Sequence, residues 1–364
     1  MRREVLAEVH AGSKVEFRAL FSGISPAQLH VDAVLQGDAE GRLYVDSCES
    51  PVAGCLLAGD ACYLVGRSAR GRFFDAVNEL LPRDRYTAVF AGAEVAAADL
   101  ERATRRLYML PARRRAASLG RAPHDVGSAP SGVEVVSIDR RWLEDNVPGV
   151  GDVRDAATEE WGTVEKFLER GFGSAAIADG RVVAYSISDY IVGEACEISI
   201  HVVPEHRRQG VGTATAAATA RAAFERGLAR AGWHSWANNA GSIAISRRVG
   251  FSDELFYTVL INHWAAENMT DLSAEEFRAF GETYERMLAE SAPAVSGYPH
   301  VVAATAFACA GDRAGCLRNL HQAVDVGWLR SLDQLRELWP ELFLDPTLPE
   351  RAPEWGVLFA RLER

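Results

Sequence analysis

The run Arg207-Arg208-Gln209-Gly210-Val211-Gly212-Thr213 constrains this chain more than any other feature of its 364 residues. It stands between an apolar strand pattern ending Val202-Val203-Pro204 and a long Ala-rich helical run. A helix that starts there presents N–H groups with no intrahelical partner, and its dipole adds positive potential, so an anion fits. The glycines let the main chain approach a phosphate closely, and Arg207 and Arg208 add charge at the rim. No Gly-Lys-Ser/Thr follows, as an NTP-binding loop requires, and no G-x-G-x-x-G, as a dinucleotide requires.

Around this turn the periodicity predicts a helix over 158–170, a strand over 174–178 and an Asp179-Gly180 hairpin turn into a strand over 181–189. A strand over 195–203, a helix over 212–231, a strand over 233–237, a helix over 242–249 and a strand over 256–262 complete that region. Before it, strands over 41–46, 52–58 and 61–66, a helix over 72–81, a strand over 86–90 and a helix over 94–107 predict a small α/β unit. The Arg-, Ala-, Ser-, Gly- and Pro-rich segment 111–132 sustains neither period and separates the two, with the linker placed at 121–132. After residue 265 apolar residues recur at helical spacing over 274–290, 300–310, 313–326 and 332–338.

The turn matches the Arg/Gln-x-x-Gly-x-Gly/Ala signature of the GNAT acyltransferases, and Asn239, Ser242 and Gly250-Phe251 resemble that superfamily's second motif. The resemblance spans 133–264 and implies an α+β GNAT fold, a mixed, mostly antiparallel sheet with flanking helices. It implies acetyl-CoA as cosubstrate, held by Val202, Val203, Arg207, Arg208, Gln209, Gly210, Val211, Gly212, Thr213, Asn239 and Ser242, with no metal. Trp161, the run 167–173 and the stretch 177–180 are similar to a GNAT subset that includes zwittermicin A resistance acetyltransferases. Residues 1–120 have the strand-strand-helix order of half such a fold, but their turn, 66–71, lacks Gly-x-Gly. A degenerate GNAT-like α/β domain that shapes one wall of the substrate cleft is expected there. In 265–364, Ala304, Ala308, Gly311-Asp312, Leu317, Ala323 and Gly327 resemble one tetratricopeptide helix pair, with Asp345-Pro346 and Pro353-Glu354-Trp355 continuing the packing. An all-helical domain that caps the enzyme or docks a protein partner is expected.

Period two places Glu197, Ser199 and His201 on one face of their strand. Glu197 lies ten residues before Arg207, close to where histone-acetylating relatives carry a general-base glutamate, and could deprotonate an ammonium directly or through water. His201 is the rival base, or a structural histidine. The resemblance implies direct attack in a ternary complex, with the oxyanion met by a backbone amide near Val202 or Val203. Where many relatives carry a proton-donating tyrosine, four residues before the Gly-Phe pair, this chain has Ser246. Tyr257 or solvent takes that role, or the thiolate leaves unassisted.

The net charge of −11 argues against a nucleic-acid surface and favours a cationic small-molecule amine, such as an antibiotic or metabolite intermediate. A protein substrate or partner recruited through the helical tail is the alternative. The six cysteines lack C-x-x-C spacing, and most of them read as reduced core residues. No apolar run of signal or membrane length stands in the sequence, so a cytoplasmic protein is expected.

Overall fold

The computed structural model describes residues 6–67, 72–82, 86–107, 109–123, 126, 129–145, 147–237, 239–262, 273–290, 297–338 and 353–362. Two expectations fall largely outside these: most of the turn 66–71, and Asp345-Pro346.

The strands are β1 (Ala7–Val9), β2 (Arg42–Val45), β3 (Ala53–Ala58), β4 (Ala61–Gly66), β5 (Ala88–Ala91), β6 (Leu110–Leu119) and β7 (Val133–Ser137). They continue with β8 (Gly173–Ala178), β9 (Arg181–Val192), β10 (Ala195–Ile198), β11 (His201–Val202), β12 (Arg230–Trp236) and β13 (Ser252–Ile261). All join one sheet in the order β1-β2-β3-β4-β5-β13-β6-β12-β10-β9-β8-β7, with β11 paired to β9. The pairs β4–β5 and β10–β12 are parallel, each bridged by a crossover that contains a helix, Arg72–Leu80 and Val211–Glu225 respectively. The hairpins are antiparallel; at the β8–β9 turn Asp179 and Gly180 take φ of 49° and 73°, as a primed turn requires.

The chain thus uses one plan twice: an antiparallel meander, a helix, then a parallel strand. The centre of the sheet, β5-β13-β6-β12, interleaves the two copies. β6, the last strand of the first copy, lies beside β12 of the second, and β13, the last strand of the second, lies beside β5 of the first.

Segment 111–132 was expected to lack regular structure, and β6 corrects this: it pairs with β12 from Leu119↔Ala231 to Arg114↔Trp236. Its apolar pattern is hidden because arginines hold buried and half-buried positions. Arg115 is fully buried, donating to Ser246 Oγ at 3.0 Å and to Glu254 at 2.9 Å. Arg114 lies over Trp236, and Arg113 over Phe256.

The expected helix 158–170 is two helices, Val150–Trp161 and Val164–Arg170. Gly162 ends the first with φ 77°, and the Thr163 side chain caps the second by accepting from the Lys166 N–H. The expected strand 195–203 is divided into β10 and β11; a register shift against β9 falls at Glu197, between Cys196 and Ile198, and the register then runs unshifted from Ile198↔Ser188 to Val202↔Ala184.

Two compact units are formed. The first comprises Met1–Ala76, Ala88–Leu100 and Pro111–Leu260; the second comprises Val77–Thr87, Glu101–Leu110 and Ile261–Arg364. In the second, helices Ala274–Glu290, Tyr298–Cys309 and Arg313–Asp325 pack through Phe307, which rests against Gly281 and Gly315, where any Cβ would collide with its ring. Asn262 accepts from the Thr87 N–H at 2.8 Å in the same unit. All six cysteines are free, and among the described residues no helix is long and apolar enough to cross a membrane.

Candidate active site

The Val211–Glu225 helix starts at Gly210, whose φ of 89° lies in the left-handed region that favours glycine, with no side chain capping the helix. The first intrahelical bond is Ala214 N–H to Gly210 O at 3.1 Å. The N–H groups of Val211, Gly212 and Thr213 therefore point out of the helix end. Before them lies an open hollow of about 510 Å³ lined by Val126, Pro130, Gln209, Gly210, Thr213 and Arg248 among others. Gly212 has a packing role beyond phosphate access: a Cβ there would collide with Val202 and Ile245. Arg207 points back to the Val202 carbonyl at 3.1 Å, and Gln209 to the Glu205 carbonyl at 2.8 Å, so both brace the turn, while Arg208 is exposed at φ 59°. Asn239 caps the Ala240–Val249 helix through the Ser242 N–H, and Ser242 Oγ accepts from Trp233 Nε1 at 2.9 Å. These two side chains fix the start of that helix and tie it to Trp233 on β12.

Beside that helix the sheet opens. β10 pairs with β12 only from Ala195↔Arg230 to Glu197↔Gly232, after which β12 continues on β6 alone. The N–H groups of Ser199 and Val203 go to Ile187 O and Val183 O on β9, and His201 pairs with Tyr185. By alternation the N–H groups of Ile200 and Val202 face the opening. This corrects the expectation for Val203, whose N–H is already committed.

At the point of divergence Glu197 leans over Gly232, where a Cβ would run into its carboxylate. Its Oε1 is 3.4 Å from His234 Nε2, and His234 Nδ1 is 2.8 Å from the Tyr257 hydroxyl. Burial pushes Tyr257 up to about 12 and so keeps it protonated at neutral pH. The structure thus brings Glu197 and Tyr257 together through a histidine that the sequence did not single out. His201 lies apart from this line, exposed and stacked on Tyr185 at 5.1 Å; partial burial, then Arg207, holds its pKa below the usual value. Ser246 is fully buried, accepting from Arg115 and donating to the Ile243 carbonyl at 3.0 Å, so it faces the core.

Around Glu197 stand groups with no local sequence signal. Asp189 on β9 interacts with Ser199, and its Oδ1 is cut off from solvent without a hydrogen-bond partner. Burial, then the charge of Glu160, pushes its carboxyl well above the usual range; burial also raises Glu160, to which Tyr190 is hydrogen-bonded. A carboxyl raised on folding adds stability below its unfolded pKa, near 4, and that contribution is lost as pH rises through the raised value. Asp189→Asn is therefore expected to raise Tm by about 3 °C at pH 8 and to change it little at pH 4. Scanning calorimetry at both pH values checks this, and an equal shift at both would contradict it. Among the described residues no cluster of His, Cys, Asp and Glu could hold a metal.

In the first copy of the plan the corresponding opening is closed. β4 and β5 stay paired from Ala61↔Ala88 to Leu64↔Ala91, and Gly92 N–H continues to Leu64 O. Beyond that, Glu94 fills the gap, its carboxylate accepting from the Gly66 N–H at 3.0 Å.

The sequence pattern of the GNAT acetyltransferases matches residues 18–260. The N-acetyltransferase YdfB of Bacillus subtilis (strain 168), itself uncharacterized, is 31% identical over 103 residues, 28% of this chain and 38% of the relative. The chain thus matches little more than a third of that curated relative's length. The crystal structure of a GCN5-related N-acetyltransferase-like protein from Streptococcus suis 89/1591 is similar in fold. It superposes with a TM-score of 0.52 at 20% identity, covering 69% of this chain and 99% of that one.

Proposed function

We propose, for a chain that belongs to the GNAT acetyltransferase family, that it acetylates a primary amine of a small cationic molecule of the antibiotic or secondary-metabolite kind, in a ternary complex. The observation that carries this reading is the Glu197–His234–Tyr257 line at the mouth of the sheet opening, beside a helix end with three free N–H groups.

The residues present fit coenzyme A. The N–H groups of Val211, Gly212 and Thr213, with Arg248 across the hollow, would hold the pyrophosphate, and the N–H groups of Ile200 and Val202 would face the acyl arm. When bound, acetyl-CoA supplies a thioester carbonyl for attack by the amine. Glu197 takes the proton of the incoming ammonium, directly or through one water, which frees the nitrogen lone pair. As the C–N bond forms and the C–S bond breaks, Tyr257 would give its hydroxyl proton to the leaving sulfur, and the acylated nitrogen would release its remaining surplus proton to water. His234, in contact with both groups, can return a proton from Glu197 to the phenolate. The closed first copy has no such opening, which supports a non-catalytic GNAT-like half whose residues wall the acceptor side.

Calorimetric titration with desulfo-CoA, on the wild type and on Arg248→Glu, tests the reading. A Kd on the order of 10 µM, weakened about tenfold or more by the charge reversal, is expected. No binding by the folded wild type would sink it. Binding without turnover of any small amine would transfer the acceptor role to a protein side chain recruited through the C-terminal helices.

A further inference from the structure

We infer that the acceptor is a diamine or polyamine, whose reacting nitrogen lies at Glu197 while a second ammonium is held by Asp189 and Glu160. This rests on the amine-acetylation reading above and adds the substrate's second charge.

Three observations carry it. The groups that act most strongly on Asp189, after burial, are carboxylates and a serine: Glu160, Ser199, Glu197 and Glu159. No cation is among them, and no ion pair to Asp189 or Glu160 is present among the described residues. Two half-buried carboxyls that act on one another without a counter-charge are costly to a fold, and one bound ammonium relieves both. The Oδ1 of Asp189, shielded and unpartnered, is an acceptor left open for a donor that the chain does not supply.

The surroundings suit an alkylammonium. Tyr190 is hydrogen-bonded to Glu160, and its ring stacks on His30 at 4.3 Å and 10°. His30 Nδ1 meets the Tyr63 hydroxyl at 2.5 Å, and burial lowers its pKa to about 4, so this ring is neutral near pH 7. Faces of Tyr and neutral His attract an ammonium and do not compete with it. Continuity with the reacting end comes from Glu197, which faces the Asp189–Tyr190 stretch of β9 between the pairs Cys196↔Ile191 and Ile198↔Ser188. His30 belongs to the helix Gln28–Gln36, which packs on β9 and β10, so the first copy of the plan contributes part of the wall.

The experiment has a binding arm and a turnover arm, both on the full chain. Binding of 1,4-diaminobutane, spermidine and n-butylamine is measured by calorimetry without acetyl-CoA, on the wild type, Asp189→Asn and Glu160→Gln. The diamine or spermidine is expected to bind at least about tenfold more tightly than the monoamine, and each variant to reduce that ratio to about twofold or less. Retained desulfo-CoA binding serves as the folding control. In turnover, release of free thiol should give the same ranking in kcat/KM. Equal binding of monoamine and diamines by the wild type, or an unchanged ratio in both variants, overturns the inference even where amines are acetylated. Failure of desulfo-CoA binding and of all thiol release overturns the acetyltransferase reading instead, and leaves the binding arm to decide the diamine site by itself.

Discussion

Replacing Glu197 with glutamine is expected to lower kcat/KM for amine acetylation by about a thousandfold at pH 7, with the deficit shrinking as pH rises. The amide keeps the shape over Gly232 but cannot take a proton, so the variant works only on the fraction of acceptor already neutral in solution. That fraction grows toward alkaline pH. His201 is the alternative base by residue type, yet it stands exposed against Tyr185, off the line that joins Glu197 to Tyr257. His201→Gln is therefore expected to change the rate by less than about threefold. Initial rates of thiol release from pH 6 to 10 decide between them. A His201 variant that carries the large loss, or a Glu197 variant within threefold of wild type at pH 7, would reverse the assignment.

The largest effect on stability is expected from Trp233→Ala. This indole is 1% exposed, lies edge-on to Phe251 at 5.3 Å and donates to Ser242 Oγ. It sits in a core with Ala216, Ala217, Ala220, Val249 and Phe251, where the Ala-rich helix leaves no long side chain able to collapse into the space. Truncation is expected to cost about 4 kcal/mol, or roughly 8–16 °C in Tm, and to leave Ser242 without its donor. Differential scanning calorimetry reads this directly. A shift below about 3 °C would mean that the helix moves inward to fill the gap.

The helix-start turn was legible because its chemistry is local: glycine freedom, a strand before and an Ala-rich run after are all neighbours in sequence. The helices 274–290 and 332–338 were legible to the residue, since their apolar spacing is undisturbed. What failed was whatever depends on partners far along the chain. β6 carries three consecutive arginines, exposed, half-buried and buried in turn, whose places make sense only with Phe256, Trp236 and Glu254 beside them. Helix Gln28–Gln36 precedes every element read from the sequence, and its His30 has meaning only against Tyr63 and Tyr190. Likewise Asp189, Glu160 and His234 obey no spacing rule; the sheet order brings them to Glu197. The polar alternation of 197–201 misled by grouping His201 with Glu197, whereas Glu197 stands where β10 parts from β12 and His201 lies against Tyr185.

The exchange of β6 and β13 sets an order on synthesis. When β6 leaves the ribosome, neither neighbouring strand exists yet, and both its edges stay open until the chain from Arg230 to Ile261 has been made. A strand with two bare edges is a ready template for the wrong partner. Its three arginines, charged while it waits and neutralised or stacked once β12 and β13 arrive, keep that interval soluble. The same residues that hid β6 in the sequence guard it on the way to the fold.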